Sequence, residues 1–384
     1  MFFASTSNYP VGLDISDTVL RLVQLNKAGA KIKIQGLSFV KLEKGLIEKG
    51  EIMNEEAVLK KINELISRPF YGKISSDSIV ACLPEPKTFI KLISVEKGPN
   101  KLSEIIESEI EKNIPYTIKE VYYDWQIIND RDSESMVLIG ATPKGIVNQY
   151  TSLLDKAKLS IQALEIEPIS ICRCLIKEES PDYKGVSQNN YAILDIGANR
   201  TSMIFYSANT ILYTISIPIS GNKITENISK KLELDIDQAE KAKIICGFDK
   251  GKAEGVINKT LSENIGDLKN KINESLNFYQ NYYNRGPINK IILCGGGANI
   301  NGLDKVINEA TSIEVVKGDL FTNAIEKNDE IVEILTKIYS IKKGNENKNE
   351  KNVLPAQKVF IQDSSLSFVT AFGLALRGIF INDL

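Results

Sequence analysis

The chain contains no histidine among its 384 residues. That absence excludes Ser-His-Asp and Cys-His nucleophile systems, imidazole metal ligands and histidine-based pH switches. What remains is chemistry that carboxylates, backbone amides and a borrowed metal ion can supply. Cysteine is scarce as well. Five residues, an odd number without framework spacing, point to reduced thiols in a cytosolic compartment. Cys172 and Cys174 form a C-x-C pair, but no second pair completes a zinc site, and they read as helix packing. The formal net charge of −2 makes no electrostatic case for nucleic acid as a partner. Long apolar runs are missing too. Met1-Phe2-Phe3-Ala4 is followed by polar residues, and the stretch from Phe368 to Ile381 is too short to span and carries Arg377. Neither a signal peptide nor a membrane span is therefore expected.

What is present is ordinary globular composition, 43% apolar and 25% charged. The length leaves room for about two to three domains, and a fold of this size buries about 75% of its unfolded surface without staples. Val11 to Ile15, Val19 to Leu25 and Lys31 to Ile34 read as strands. Asn54 is placed to cap a helix whose Val58, Leu59, Ile62, Leu65 and Ile66 share one face. Ser78 to Leu83 is the next strand, ended by Pro84. Residues 85–159 read as a small α+β insertion: a helix through Leu102, Ile105, Ile106 and Ile110, strands at Val121 to Ile128 and Met136 to Ala141, then a helix opened by Thr142-Pro143. Ser160 to Ile166 returns to strand, and Pro168 to Lys177 is helical. Glu178 to Asn190 is the linker candidate. Tyr191 to Ile219 gives further strands, and Ile224 to Asn284 reads as helical almost throughout. Its apolar stripe from Ile257 to Tyr283 predicts one long helix. Lys290 to Cys294 is a strand, Lys342 to Asn352 a polar loop, and Ser365 to Arg377 a closing helix. The expected division is a first core lobe from 1–84, 160–188 and 360–384, the insertion at 85–159, a second lobe from 189–222 and 286–359, and its helical subdomain at 223–285.

A partial internal repeat carries the most information. Val11-Gly12-Leu13-Asp14-Ile15-Ser16-Asp17-Thr18 recurs in outline as Ala192-Ile193-Leu194-Asp195-Ile196-Gly197-Ala198-Asn199-Arg200-Thr201. Each is an apolar strand ending in Asp, a short polar turn and another β-rich run. Successive amides of such a turn form a concave anion site, and Gly197 lets phosphate oxygens approach the main chain. An Asp beside a phosphate repels it unless a divalent cation lies between. Asp14 and Asp195 together therefore suggest Mg²⁺ held largely through water. One copy alone reads better as an ordinary hairpin; two copies reverse that balance. Glu240 and Lys243 lie one helical turn apart, where they suit either ribose and adenine or a solvated surface pair. Gly295-Gly296-Gly297-Ala298-Asn299 after a strand allows close approach to a base or phosphate. It matches neither the Walker nor the G-x-G-x-x-G pattern.

The order of these elements resembles the actin-like ATPase superfamily, its FtsA-like branch, and within it the PilM family of type IV pilus assembly proteins. The first phosphate motif resembles Gly12 to Ser16, continued by Asp17 and Thr18; the second, Asp195 to Thr201; the adenosine motif, Gly295 to Asn299 with Gly302-Leu303. The helix bearing Glu240 and Lys243 resembles the family's nucleoside-contacting helix, and Gly221 to Thr225 before it resembles the family's Gly-x-x-Ile-Thr segment, with Gly221 a cofactor-binding candidate. Ile114-Pro115, with Val121 to Asp124, resembles the family's inserted subdomain, and Ala371 to Gly378 its closing helix. Glu167-Pro168 resembles a pair whose Glu orients the attacking water. The resemblance implies a two-lobed α/β fold of duplicated ribonuclease H-like domains that binds ATP and Mg²⁺ and is at most a slow ATPase. It implies a cytoplasmic component of the inner-membrane pilus platform, peripheral to the membrane through its partner. The N-terminal cytoplasmic peptide of PilN would lie in a groove between first lobe and insertion, with other platform proteins and self-association as further contacts. Ser16 stands where the family has Gly, which bears on hydrolysis more than on binding. The alternatives are an FtsA-like polymerising actin, against which the absence of a basic helix after Phe380 speaks; a small-molecule phosphotransferase, for which no dedicated base is seen beyond Glu167 and the motif aspartates; and a scaffold whose nucleotide site has decayed.

Overall fold

The computed structural model describes residues 9–29, 31–98, 101–130, 133–177, 189–283, 285–323 and 363–380. These belong to two compact units, one of Met1–Lys177, Phe321–Lys327 and Phe368–Leu384, the other of Glu178–Leu320 and Asn328–Ser367.

The first unit is built on a sheet of β1 (Val11–Ile15), β2 (Val19–Ala28), β3 (Lys31–Lys41), β6 (Tyr71–Gly72), β7 (Ser78–Leu83) and β11 (Ser160–Ile166), ordered β11-β7-β1-β2-β3-β6. A short hairpin, β4 (Ile47–Glu48) and β5 (Glu51–Ile52), precedes α1 (Glu55–Ser67). Asn54 caps α1 by accepting the Ala57 amide at 3.1 Å, and Val58, Ile62 and Leu65 are fully buried. β1 runs antiparallel to β2 and parallel to β7, so Asp14 at its end lies directly across from Arg21.

Two helices seal the other face, α4 (Glu167–Leu175) and the closing helix α10 (Val369–Phe380). Their approach depends on missing side chains. A Cβ on Gly12 would stand 2.1 Å from the carbonyl of Ala371, and one on Gly373 would stand 1.9 Å from that of Ser170. Glu165 on β11 is clamped by both helices: Arg173 donates both terminal nitrogens to its two oxygens and Arg377 donates one, all at 2.6 Å. Cys172 and Cys174 are buried in α4, with Cys174 fully so.

The three-stranded sheet of the insertion consists of β8 (Phe89–Glu96), β10 (Glu134–Pro143) and, at its end, β9 (Val121–Asp130). It is covered by α2 (Leu102–Asn113), whose Ile106 and Ile110 meet Val121, Val137 and Ile139 in a separate core. Helix α3 (Lys144–Lys156) follows this sheet, but its Ile146, Tyr150, Leu153 and Leu154 enter the core shared by β1, β2 and α1.

In the second unit, β12 (Tyr191–Ile196), β13 (Thr201–Ser207), β14 (Thr210–Ile217), β15 (Lys290–Cys294) and β16 (Glu314–Lys317) are ordered β16-β15-β12-β13-β14. Four helices follow β14: α5 (Gly221–Leu232), α6 (Ile236–Ile245), α7 (Val256–Asn264) and α8 (Gly266–Tyr282), with α9 (Leu303–Thr311) after β15. The single helix expected from Ile257 to Tyr283 is thus two. The break is a kink: Ile265 stays in the right-handed region but departs from regular helix values with φ −92° and ψ −7°, and Gly266, a poor helix former, follows it. Ile257, Leu261, Ile265, Leu268 and Ile272 remain one buried stripe across the break, because periodicity reports the covered side and not backbone continuity. The polar loop expected at Lys342 to Asn352, and the linker from Glu178 up to Gln188, lie outside the described residues.

The approach at Gly373 yields a test. Gly373→Ala should lower unfolding stability by about 3 kcal/mol through overpacking, read by urea denaturation. Gly98→Ala, where a Cβ meets nothing within 4 Å, should stay within about 0.5 kcal/mol of the parent.

Candidate functional site

In the first unit the acidic strand end is already electrically balanced. Asp14 is 4% exposed. Its Oδ2 accepts from Arg21 Nη1 at 3.1 Å and its Oδ1 from the Cys82 thiol at 3.7 Å. Cys82 sits on β7, the parallel neighbour of β1. Burial pushes its thiol well up, with Asp14 and Glu167 adding to the effect, so it stays protonated and inert. Tyr150 is pushed up chiefly by burial, with Cys82, Asp17, Glu167 and Asp14 contributing. These acidic residues therefore share one neighbourhood.

The turn after β1 is closed upon itself. Ser16 donates its hydroxyl to the Val19 carbonyl at 2.7 Å and accepts the Val19 amide at 3.2 Å. Ser16 is not among the residues with positive φ, so its backbone does not require the family's glycine. Both Asp17 oxygens accept backbone amides, from Lys49 and Gly50 at 3.0 Å, tying the turn to the β4–β5 hairpin. The Thr18 carbonyl accepts the Leu42 amide at 2.8 Å. Glu167 opens α4 beside Pro168, and Thr370 of α10 approaches its Oε1 at 3.5 Å.

In the second unit the motif residues form one contiguous patch. The β12–β13 turn closes by Gly197 N–H donating to the Arg200 carbonyl at 2.8 Å. The amides of Gly221 and Asn222, opening α5, donate to the Gly197 and Ala198 carbonyls at 3.0 and 2.9 Å. Asn222 also donates its side-chain amide to Asn199 Oδ1 at 3.0 Å, and Thr201 donates its hydroxyl to the Ile219 carbonyl at 2.6 Å. Ser220 accepts the Lys223 amide and completes the helix start. The first amides of α5 thus hold the turn in shape, and any anion contact falls to the turn itself.

Lys243 fixes the same helix from beneath. It is 2% exposed, and its ammonium donates to the Gly221 carbonyl at 3.0 Å and to Thr225 Oγ1 and Glu240 Oε2 at 2.7 Å. Three acceptors match its three protons. Burial pulls its pKa down while Glu240 pulls it up. Glu240, with its side chain 46% exposed, opens this network to solvent.

The triple glycine packs against β12. A Cβ on Gly295, where φ is +76°, would lie 2.3 Å from Asp195 Oδ1, and one on Gly297 would lie 2.2 Å from Ile196 Cγ2. Gly296 is exposed and a Cβ there meets nothing. Ala298 is fully buried. Sequence reasoning missed Arg21 and Cys82, and it named Asn222 and Thr225 only as members of the segment Gly221 to Thr225, without a role. Arg21 carried a signal, seven residues beyond Asp14 and across a short turn. Among the described residues no three Cys, Asp or Glu side chains gather to hold a metal.

The family model for type IV pilus assembly protein PilM matches residues 12–337. The chain belongs to the PilM family. A solved PilM-PilN type IV pilus biogenesis complex is 21% identical, covers 97% of this chain and 98% of its own, and superposes with a TM-score of 0.73. Among curated proteins, the cell division protein FtsA of Neisseria meningitidis serogroup B (strain ATCC BAA-335 / MC58) is 26% identical over 136 residues, 35% of this chain and 31% of FtsA. FtsA of Buchnera aphidicola subsp. Schizaphis graminum (strain Sg) is 26% identical over 284 residues, 64% of this chain and 63% of FtsA. The chain therefore spans less than two thirds of either FtsA. The fold is the α/β actin-like ATPase fold expected from the sequence. No helix among the described residues is long and apolar enough to cross a membrane.

The glycines separate packing from ligand access. Gly297→Ala should lower stability by about 2 kcal/mol and Gly296→Ala by no more than about 0.5 kcal/mol, both read by thermal or urea unfolding.

Proposed function

We propose that this pilus assembly protein binds ATP with Mg²⁺, that nucleotide sets the closure of its lobes, and that it takes the N-terminal cytoplasmic peptide of PilN. The observation that carries the nucleotide reading is the patch of the second unit. A hydrogen-bonded turn at Gly197 to Thr201 follows β12, and the open Gly296 belongs to the glycine run packed against the end of that strand. The turn amides suit phosphate oxygens. Asn299, in the loop after β15, is the residue assigned to the nucleoside on the strength of the motif alone. Glu240 stands at the nucleoside end, and Lys243 holds Gly221 against the turn. The donor set suits a magnesium ion that brings phosphate and water ligands with it, not one caged by protein. Asp195, partly exposed, is the second-unit carboxylate assigned to it. In the first unit, Asp14, balanced by Arg21, and Glu167, for orienting water in any slow hydrolysis, are assigned from the motif resemblance.

Equilibrium binding of MgATP tests this. Asp195→Ala and Gly197→Asp should each weaken binding at least tenfold, with melting temperature as the control for folding. Unchanged affinity in both would move the nucleotide elsewhere.

For the partner, membership of the family and the fold shared with the PilM-PilN complex support the reading. The first unit holds a cavity of about 680 Å³ lined by Asn63, Ile66, Ser67, Ser75, Lys158 and Leu159, among others. It lies where the end of α1 meets the end of α3, and its mixture of apolar and polar walls suits a short peptide. Such a peptide would also tether the chain to the inner membrane. Binding of a labelled PilN N-terminal peptide should fall at least tenfold in Ser67→Trp and Ile66→Asp and be unaffected by Asp195→Ala. Parental affinity in both cavity variants would refute the placement.

A further inference from the structure

The inserted subdomain carries an apolar rim that its own helix does not cover. β9 is the last strand of its sheet. On it, Trp125 pairs across to Ile139 and Ile127 to Val137. Both partners are fully buried, whereas Trp125 is 38% and Ile127 41% exposed. Directly paired residues share a face, so Trp125 and Ile127 belong to the core side of the sheet but project past the edge of the core. The sheet is longer than the helix laid on it: ten residues of strand run about 33 Å, while the twelve of α2 rise about 18 Å.

Beside this rim stands a row of carboxylates. Glu111 accepts the Ile118 amide at 2.9 Å, and Glu107 accepts the Tyr123 hydroxyl at 2.8 Å. α2 therefore runs back along β9 as β9 advances. Glu104, one turn before Glu107, continues the row toward Trp125 and Ile127. Glu104 and Glu111 are exposed, and the one lysine of α2, Lys112, is paired with Glu109 at 2.7 Å. On the edge of β9 the Trp125 amide is met by Asp124 Oδ1 at 2.8 Å. What the rim offers is a pair of apolar side chains flanked by negative charge.

We propose that the α2–β9 rim docks a basic amphipathic segment of a partner protein, its apolar residues on Trp125 and Ile127 and its lysines or arginines on Glu104, Glu107 and Glu111. Charge complementarity selects this occupant: an acidic segment would meet repulsion along the whole row. The site shares no residue with the cavity proposed for PilN or with the nucleotide patch, and it stands whether or not those readings do.

Trp125 is the chain's single tryptophan, so its emission reports occupancy directly. The probe is a synthetic decapeptide of alternating leucine and lysine, with a leucine–glutamate peptide as its counterpart. The basic peptide should produce a saturable blue shift that weakens with added salt, and the acidic one should produce none. Glu104→Gln with Glu111→Gln should weaken binding about fivefold, as expected for two exposed charge contacts. Ile127→Asp should abolish it. An equal response to both peptides, no response to either, or parental affinity in the glutamine variant would overturn the proposal. So would a shift that follows protein concentration without peptide, with a dimer in sedimentation, since the occupant would then be a second copy of the chain.

Discussion

Main chain laid directly on main chain is the constraint on which both units depend. In the first, Gly12 and Gly373 let the closing helix reach β1 and α4 at distances no Cβ tolerates. In the second, Gly295 and Gly297 let the loop after β15 rest on Asp195 and Ile196. Any side chain at these points would push the layers apart and carry the acidic strand ends with them. The glycines therefore act on the site through packing, and Gly296 alone of its triplet faces outward.

Charge is arranged to the same end. Asp14 is met by Arg21, Glu165 by Arg173 and Arg377, and Lys243 by Glu240 with two neutral oxygens. Each of these three buried charges has a partner, as desolvation demands. The pairs do not rank equally as determinants of function. The Glu165 cluster clamps two helices to a strand, whereas the Asp14 and Lys243 pairs set the shape and field of the turns. An aspartate that already has a guanidinium beside it repels a phosphate less than a bare one, which lessens the demand on a metal ion at that strand end.

The internal repeat extends further than its sequence suggests. Asp14 lies beside Cys82 on the parallel neighbour β7, and Asp195 is in register with Cys294 on the parallel neighbour β15. Each unit thus sets an acidic strand end between an antiparallel partner and a parallel strand bearing a buried cysteine. The units then diverge. The first adds a small sheet and helix with their own core, and the second adds four helices behind its turn. These additions give the two units different surfaces on one duplicated scaffold.

The sequence alone determined where three strands begin and end, while other breaker-bounded elements moved: Met136 to Ala141 extends to Glu134–Pro143, and Pro168 to Lys177 shifts to Glu167–Leu175. Ser78 to Leu83 before Pro84, Ser160 to Ile166, and Lys290 to Cys294 before the glycines match the structure residue for residue. It also located the motif turns, because Asp and Gly at a strand end are local features. Only tertiary structure decided what those residues touch. It placed Arg21 on Asp14, closed Ser16 on Val19, turned Asp17 to the hairpin, and directed two of three glycines toward a strand instead of open space. It also broke the long helix at Ile265, where the apolar stripe runs on unchanged. Periodicity records which side of an element is buried. What covers that side is fixed by residues distant in the chain, and no local pattern contains that information.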